Sequence, residues 1–478
     1  MQHHLETFLA TAGDEDPRGW GVPSWVERDF RAYLRCGILA HGFARLRCDS
    51  CGHERLLAFS CKGRGVCPSC NTRRMAEVAA HLTDRVFPWL PVRQWVLSVP
   101  KRLRPYLHSD PKIASGVLRV FLRAIRSSLR ATSPGAPASV AECQIGAVSF
   151  LHRFGSSLNA HFHYHVVVLD GVFSETDEGG VEFHEASKLE PRHWQELQRT
   201  VQKRVLRYFR RHDLVDASTT ADMLTWQGTG GFSIDASVHI EGHDRHGLER
   251  LVRYCARPPF ALHRLHAMGG NEALRLPDAR LVYRLSGPTP DGRTVLILSP
   301  MELLQRLARL VPPPRVHRHR YHGVLAPNAR LRAQVIALRE GVSVDDPPVA
   351  DGEIQSSKTP DATEAAPSSG RSARIRWAQL LARIYEVLPL LCPSCGGQMR
   401  ILAFLTDPPV VRSILVHLDL PHRPPPVAPA RGPPQGDFLL DQSLEVDPTE
   451  AEPAPAFDFD QSGPEFEFDQ SLPDPLDG

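Results

Sequence analysis

The stretch "LNAHFHYHVVVLDGVF", residues 158–173, places three histidines at alternate positions directly before a run of β-branched residues. Successive side chains of a β-strand point to opposite faces of a sheet, so His161, His163 and His165 would share one face. Phe162 and Tyr164 would lie on the other face. The pattern therefore predicts a strand with one face able to bind a metal ion.

A second apolar strand is predicted directly upstream, over "GAVSFLHRF" at residues 146–154, with "GSSL" between the two strands. In a hairpin centred on that connection, His152 lies opposite His161 and on the same face as His163 and His165. Zn²⁺ is one candidate occupant of such a site. A hydrolytic or phosphoryl-transfer site with open positions would instead hold Mg²⁺ or Mn²⁺. The alternative is a half-exposed strand with incidental histidines.

Length and composition indicate a water-soluble chain of two or three domains, with 478 residues of which 42% are hydrophobic. No stretch approaches the roughly 20 apolar residues of a membrane span. The first twenty residues lack the basic and apolar regions of a secretion signal. We therefore expect a cytoplasmic protein, nucleoid-associated in a bacterium, whose clustered cysteines bind metal rather than form disulfides.

The charge is distributed unevenly along the chain. Residues 424–478 contain thirteen Asp or Glu and one basic residue, so the remainder has 55 Lys or Arg against 41 acids, a net charge of +14. Arginine supplies nearly all of the positive charge, and its planar guanidinium group suits phosphate. Nucleic acid is therefore the leading class of partner. A genome-wide bias towards arginine is the alternative.

Composition changes predict five segments in an α+β protein. These are a zinc-binding, DNA-binding domain at 1–90, a catalytic domain with a central antiparallel sheet flanked by helices at 91–344, a disordered linker at 345–372, a helical segment with a CxxC motif at 373–423, and a disordered acidic tail at 424–478. The tail repeats "FLLDQS", "FDFDQS" and "FEFDQS". These repeats are predicted to recruit partners such as host replication proteins, or else to act as a solubilising tail.

The N-terminal cysteines have the spacing of a structural zinc site. Two CxxC motifs separated by fifteen residues predict a tetrahedral site formed by Cys48, Cys51, Cys67 and Cys70, with Cys61 as a substitute ligand.

The remaining cysteines have no such spacing. Isolated Cys36, Cys143 and Cys255 are predicted to be buried core thiols. The motif of Cys392 and Cys395 is predicted to form a tight turn, or a site completed by His417 and His422.

Basic residues surround the cysteine motifs, and Arg64, Arg73 and Arg74 are predicted to contact a phosphate backbone. A solvated surface is the alternative.

Tyr254 is the candidate nucleophile. It lies in "GLERLVRYCARPPFAL", one turn before a helix end imposed by Pro258 and Pro259. Three arginines lie within a turn of it and would favour the phenolate and hold phosphate oxygens; they are Arg250, Arg253 and Arg257. Tyr208, in "RVLRYFRRH", is the second candidate, and a core tyrosine is the alternative for both.

Several segments together resemble the rolling-circle HUH transposases of the IS ninety-one type, including the common-region elements. They are "SCKGRGVCPSCNTRRMAE", "PVRQWVLSVPKRLR", "LNAHFHYHVVVLDGVF", "RYCARPPFA" and "HRYHGVLAPNARLR". The resemblance covers nearly all of residues 20–423. It implies an N-terminal transposase zinc-binding domain followed by an HUH endonuclease domain.

The resemblance also implies roles for individual residues. The family's paired histidines precede an Asp-Gly by five residues, which selects His163 and His165 and leaves His161 as an extra histidine. The family often has glutamine at the position of His152, which is the implied third ligand. The nucleophile position matches Tyr254, and a single tyrosine in this helix implies the single-tyrosine branch.

The implied activity is metal-dependent nicking and rejoining of single-stranded DNA at element ends and in target DNA, through a 5′-phosphotyrosine. The cofactors would be structural Zn²⁺ and catalytic Mg²⁺ or Mn²⁺. No phosphate-binding "GxxxxGK[ST]" motif of a helicase motor occurs. The alternatives are a rolling-circle replication initiator, with the same chemistry, and a non-catalytic zinc-dependent DNA-binding regulator.

Overall fold

The computed structural model describes residues 1–15, 21–187, 189–226, 230–289, 291–338 and 391–431. The predicted linker, residues 373–390 of the predicted helical segment and the three tail repeats lie outside these residues. Within the described part of the chain, no helix has the length and apolar content needed to cross a bilayer.

Helices occur along all of the described ranges. In chain order they are α1 (Leu5–Glu15), α2 (Ser24–Tyr33), α3 (Pro68–Arg85), α4 (Arg104–Ser109), α5 (Pro111–Thr132), α6 (Pro191–Arg211), α7 (Ala217–Thr225), α8 (Arg245–Ala256), α9 (Gly270–Ala273), α10 (Pro300–Leu310), α11 (Arg332–Ala337) and α12 (Pro408–His417).

Strands alternate with these helices. They are β1 (Phe43–Cys48), β2 (Glu54–Ala58), β3 (Val92–Ser98), β4 (Gly146–His152), β5 (His163–Leu169), β6 (Gly171–Glu175), β7 (Val181–Glu185), β8 (Ser233–Asp235), β9 (His239–Ile240), β10 (Leu265–Ala267), β11 (Leu281–Arg284), β12 (Val295–Leu298), β13 (His319–Gly323) and β14 (Met399–Leu405).

The central sheet has the strand order β13-β4-β5-β3-β8, and β9 also pairs with β3. Every neighbouring pair in this sheet is antiparallel. Smaller antiparallel sheets have the orders β14-β1-β2, β10-β11-β12 and β6-β7. The predicted combination of helices with antiparallel sheets is thus confirmed. The predicted strand in "GAVSFLHRF" corresponds to β4, and the one in "LNAHFHYHVVVLDGVF" to β5 with β6.

Helices cover both faces of the central sheet because β5 alternates between two hydrophobic cores. Tyr164 and Val166 lie in a core with residues of α5 and α6, such as Phe121 and Val201. Val167, one position along, lies in the opposite core with residues of α3 and α8. Since successive side chains of a strand point to opposite faces, the two cores must lie on opposite sides of the sheet.

Helix α8 is built by simple sequence signals. The side chain of Asp244 caps its N-terminus by accepting from Gly247 N–H at 2.7 Å, and the helix ends at Ala256, before Pro258 and Pro259. Its buried apolar residues recur with helical spacing and form one stripe against the sheet; they are Leu248, Leu251, Val252 and Cys255. This stripe fixes the rotation of the helix, and therefore the direction of Tyr254.

Contacts run across the predicted domain boundaries. Phe8 and Phe30, from the first two helices, share a core with Leu307 of α10. Strand β14 pairs along the whole of β1, from Phe43↔Leu405 to Cys48↔Met399. Parts of the predicted catalytic domain and of the predicted C-terminal helical segment therefore pack against the first ninety residues. The domain boundary at residue 90 stays a prediction.

Candidate metal and nucleophile site

Three histidines converge on one face of the central sheet, but with a different register from the predicted one. His152 pairs with His163, not with His161, and His165 follows on the same face. The predicted hairpin centre is therefore wrong by one residue. The connection between the paired His152 and His163 is two residues longer than predicted, and within it Leu158 adopts a left-handed conformation with φ 58° and is buried in a hydrophobic core. His161 precedes the first residue of β5.

Each of the three histidines has one ring nitrogen occupied and the other unpartnered. His152 Nε2–H donates to the carbonyl of Cys255 at 2.6 Å, and His163 Nδ1–H donates to the carbonyl of His161 at 3.3 Å. The remaining nitrogens, His152 Nδ1, His163 Nε2 and His165 Nε2, are buried and have no hydrogen-bond partner among the described residues. Their lone pairs are available to a ligand.

Burial keeps these rings neutral. It lowers the pKa of His163 to about 3, and Arg257 adds to the effect. It also lowers the pKa of His152 and of His165 well below the ordinary value, with neighbouring imidazoles contributing. Neutral imidazole is the form that binds metal ions.

The convergent nitrogens fit a divalent cation. One ligand atom from each of His152, His163 and His165 lies within 4.8 Å of the others. Three unpartnered buried nitrogens this close together would be costly without an occupant. His161 is not one of this set, although its ring centroid lies 4.9 Å from that of His163.

Tyr254 lies beside this cluster. Its ring centroid is 5.5 Å from that of His165, in an edge-to-face arrangement, and the Arg257 guanidinium carbon lies 4.5 Å from the Tyr254 ring centroid. Burial raises the pKa of the Tyr254 phenol, while the positive charge of Arg257 opposes that rise. Arg257 is therefore placed to stabilise phenolate.

Tyr208 lies on the other side of the sheet. It packs at the edge of the core formed with α5, against the backbone of Gly116, where an added Cβ would come within 2.1 Å of its hydroxyl. Tyr164 also points to that side and donates to the carbonyl of Ala114 at 2.8 Å. Of these tyrosines, Tyr254 is the one brought to the histidines.

Two residues that sequence reasoning missed support the site. The side-chain amide of Gln94 lies 2.8 Å from His165 Nδ1 and 3.3 Å from the sulfur of Cys255. Gln94 Nε2 is the atom at both distances, and Gln94 Oε1 is buried with no hydrogen-bond partner among the described residues. Turning the amide by 180° would place the oxygen against His165, so that Nδ1–H of His165 donates to it and Nε2 keeps its lone pair. Cys255 thus touches both His152, through its carbonyl, and Gln94. The available signal was a glutamine within the otherwise apolar "QWVLSV".

The predicted phosphate-contacting arginines divide into two groups. Three of them line one cavity of about 220 Å³ next to His152, namely Arg64, Arg74 and Arg257. The others lie elsewhere: Arg73 pairs with Glu77 at 2.8 Å, Arg253 pairs with Glu249 at 2.9 Å, and Arg250 is exposed. Arg318, which the sequence did not single out, also lines the cavity.

Positive charge is concentrated in this cavity. Burial lowers the pKa of Arg318 to about 10, and repulsion from Arg64 and Arg74 contributes. The Nε atoms of Arg74 and Arg257 are buried without a hydrogen-bond partner among the described residues. Guanidinium groups with unused donors form a binding site for an anion such as phosphate.

The Asp-Gly after β5 has a structural role. Asp170 is buried and accepts two bonds from Arg93, at 3.0 Å from Nε and 2.6 Å from Nη2. Any side chain on Gly171 would collide with the carbonyl of His184, since a Cβ would lie 2.3 Å from it. The pair therefore fixes the end of β5, and with it the position of the histidines.

The cysteines form two clusters, which corrects the predicted single site. Cys67 and Cys70 group with Cys36 and Cys61, while Cys48 and Cys51 group with Cys392 and Cys395. In the first cluster, the Cys36–Cys70 sulfurs are 3.7 Å apart and the Cys61–Cys70 sulfurs 3.5 Å. Cys61 is therefore a full member of its cluster.

Further cysteine predictions change with this sorting. Cys36 is a cluster member, so its prediction as a core thiol is wrong, whereas Cys143 and Cys255 are buried outside both clusters. Cys392 and Cys395 are completed by N-terminal thiols rather than by His417 and His422. These cysteines meet because the fold brings together segments that are hundreds of residues apart in the sequence. The spacing within a CxxC motif does not reveal which distant motif it meets.

Comparisons with known proteins find similarity to transposases. Residues 1–99 match the family described as "Transposase zinc-binding domain", and residues 146–332 match the family described as "Putative transposase". The "Putative transposase y4qJ" of Sinorhizobium fredii is 27% identical over 403 residues, which cover 78% of this chain and 89% of that protein. No solved structure matches. The cysteine clusters support structural zinc in the N-terminal region. The chain is therefore similar, over both segments, to transposases that carry an N-terminal transposase zinc-binding domain.

Proposed function

We propose that this chain is a rolling-circle transposase that nicks and rejoins single-stranded DNA, and that its central sheet with the flanking helices is an HUH endonuclease fold. The carrying observation is the position of Tyr254, whose ring centroid lies 5.5 Å from that of His165 in the three-histidine cluster. A nucleophile beside a metal site is the arrangement that phosphodiester transfer requires.

The histidines would hold a divalent ion through His152 Nδ1, His163 Nε2 and His165 Nε2. Mg²⁺ or Mn²⁺ bound there would supply positive charge to a scissile phosphate. Gln94 and the carbonyl of Cys255 orient two of the rings. Because the cluster is buried, these contacts hold the rings in place before DNA binds.

Tyr254 would carry the covalent step. Its phenolic oxygen forms a bond to phosphorus as the bond from phosphorus to the 3′ oxygen breaks, which leaves a 5′-phosphotyrosine and a free 3′-hydroxyl. The phenolic proton is released and the leaving oxygen takes up a proton. Arg257, 4.5 Å from the ring centroid, would stabilise the phenolate and contact the phosphate. The reverse reaction rejoins the strand without a nucleotide cofactor.

The arginine-lined cavity would hold the DNA backbone. Arg64, Arg74 and Arg318 converge there beside His152, so a strand with one phosphate in the cavity would pass close to the histidines. This placement supports single-stranded DNA at element ends and target sites as the substrate. The acidic tail is proposed as a contact for host replication proteins on its composition alone.

The test is formation of a covalent adduct. The full chain, incubated with single-stranded DNA of the element's end and Mn²⁺ or Mg²⁺, should form a protein–DNA species that survives denaturing electrophoresis. Tyr254→Phe removes one hydroxyl and should abolish the adduct while DNA binding persists. Tyr208→Phe is the matched control and should keep it. An adduct that persists in Tyr254→Phe and disappears in Tyr208→Phe would reverse the assignment.

A further inference from the structure

Two cysteine motifs from distant parts of the chain form matching turns. Cys48 N–H donates to the carbonyl of His53 at 2.8 Å, and Cys392 N–H donates to the carbonyl of Gly397 at 2.8 Å, each five residues ahead. The glycines that follow the second cysteines, Gly52 and Gly396, have φ of 75° and 71°. Glycine adopts this left-handed conformation without a steric penalty, so each motif is shaped as the same tight turn.

The four sulfurs of these turns have the spacing of a tetrahedral thiolate site. Cys48 Sγ lies 3.5 Å from Cys395 Sγ, and Cys51 Sγ lies 3.5 Å from Cys392 Sγ. All four lie within 4.8 Å of one another. Zinc–sulfur bonds of about 2.3 Å in a tetrahedron place sulfurs about 3.8 Å apart, whereas a disulfide requires about 2.05 Å. The four thiols are free cysteines.

We propose that Cys48, Cys51, Cys392 and Cys395 bind a second structural zinc ion, which joins residues 391–431 to the N-terminal zinc region. Two of its ligands lie beyond both segments that match known families, residues 1–99 and 146–332. The first ninety residues by themselves supply only half of this site. The C-terminal CxxC motif is therefore a part of the N-terminal metal-binding structure.

The surrounding packing indicates what an ion would add at this junction. Strand β14 pairs with β1 over the full length of β1, but the buried core beside the cysteines is small. Its buried members are Ala44, Leu46, Cys48, Cys392 and Met399. A second small cluster at the same junction contains Phe43, Val411 and Leu415. A four-thiolate zinc site would add to this packing roughly 10–16 kcal/mol, the contribution of structural zinc in small modules.

Metal content of the purified full chain tests the proposal. Titration with a mercurial thiol reagent should release two zinc ions per parent chain, and release of one would overturn the second site. Cys392→Ala/Cys395→Ala should lose one zinc. Cys48→Ala/Cys51→Ala should lose the same one, so the quadruple variant should lose no more than either pair. Separate, additive losses would show that the two motifs do not share an ion.

Matched variants separate ligation from folding and from the histidine cluster. Cys143→Ala removes a buried cysteine outside both clusters and should retain both ions. Cys395→His, which replaces one zinc ligand by another, should keep the second ion that Cys395→Ala loses. In Co²⁺-substituted protein, the thiolate charge-transfer absorption should fall by about half in Cys392→Ala/Cys395→Ala and stay unchanged in His163→Ala, because His163 contributes no sulfur.

Hydrogen exchange shows which strands lose stability when the second zinc ion is lost. Loss of Cys392 and Cys395 should accelerate amide exchange in β1 and β14 and leave β5 at the parent rate. Equal exchange in β1 and β14 of the variant and the parent would overturn the joining role. This readout does not depend on DNA nicking, so its outcome is distinct from that of the proposed activity.

Discussion

At the residue scale, the three-histidine cluster separates metal binding from DNA binding. His163→Ala or His165→Ala removes an unpartnered buried nitrogen from the cluster and should eliminate nicking, while the arginines still bind DNA in a salt-dependent way. His161→Ala should have less effect, because His161 is outside the converging set. Nicking rates against Mn²⁺ concentration check this. Nicking at the parent rate in His163→Ala would refute the metal site.

His152 gives a graded version of the same test. His152→Gln can still present an oxygen to a hard ion and should be tolerated, whereas His152→Leu should raise the Mn²⁺ concentration needed for nicking. If His152→Leu needs no more Mn²⁺ for nicking than the parent does, His152 is not a metal ligand. The assignment of His163 and His165 would still stand.

Gln94 should act through His165 rather than on DNA. Gln94→Met keeps approximate volume but removes the amide that lies 2.8 Å from His165 Nδ1. Loss of such a supporting contact typically weakens metal affinity 10- to 100-fold, so the Mn²⁺ concentration for half-maximal nicking should rise by about that factor. The maximal rate at saturating Mn²⁺ should change less. If the half-maximal Mn²⁺ concentration stays at the parent value, Gln94 does not position His165.

At the element scale, neighbouring arginines of α3 offer a matched pair. Arg74 lines the cavity beside His152, whereas Arg73 is paired with Glu77 at 2.8 Å. Arg74→Gln should weaken single-stranded DNA binding and reduce the slope of log affinity against log salt by about 0.7, the value of one phosphate contact on a single strand. Arg73→Gln should leave that slope nearly unchanged. Equal slopes for the two variants would mean that the cavity does not contact phosphate.

One buried ion pair, between Arg93 of β3 and Asp170 directly after β5, adds to the backbone pairing of these two strands. Asp170→Asn would leave the side chain of Arg93, which is 7% exposed, without its carboxylate. Removing one partner of a buried pair typically costs about 3–5 kcal/mol. The thermal unfolding midpoint should therefore fall markedly. The exposed Asp222→Asn is the control, and a midpoint shift no larger than in that variant would contradict the role of the pair.

At the scale of the whole molecule, half-buried neutral histidines should make the fold sensitive to acid. Burial lowers the pKa of His108 and of His322 to about 4, with nearby arginines contributing. Between about pH 6.5 and pH 4 the unfolded chain binds protons that the folded chain refuses, so stability is present above pH 6.5 and is lost as pH falls through this window.

His322→Asn tests this contribution. It retains a polar partner for Ser149, which lies 2.8 Å from the His322 ring, but removes the titrating group. Its thermal unfolding midpoint should fall less steeply between pH 6.5 and pH 4 than that of the parent. His246→Asn changes an exposed histidine and should follow the parent curve. A parental pH dependence in His322→Asn would rule out this source of acid sensitivity.

The sequence by itself determined what depends on local periodicity and local chemistry. Alternation in "HFHYHVVVLDGVF" predicted β5 and the shared face of His163 and His165, because a strand repeats every two residues. The apolar stripe of "GLERLVRYCA" and the following prolines predicted α8 and its end before Pro258. The motif resemblance led to the transposase family, which the comparisons support independently.

Only the tertiary structure decided which distant residues meet. It placed His152 opposite His163, with a longer connection that contains the buried, left-handed Leu158. It divided the cysteines into two clusters, since β14 returns to pair with β1 across more than 340 residues. It also separated Arg74 from Arg73 and brought Gln94 to His165. Such contacts depend on how elements pack in three dimensions, and the spacing of residues along the chain does not encode that packing.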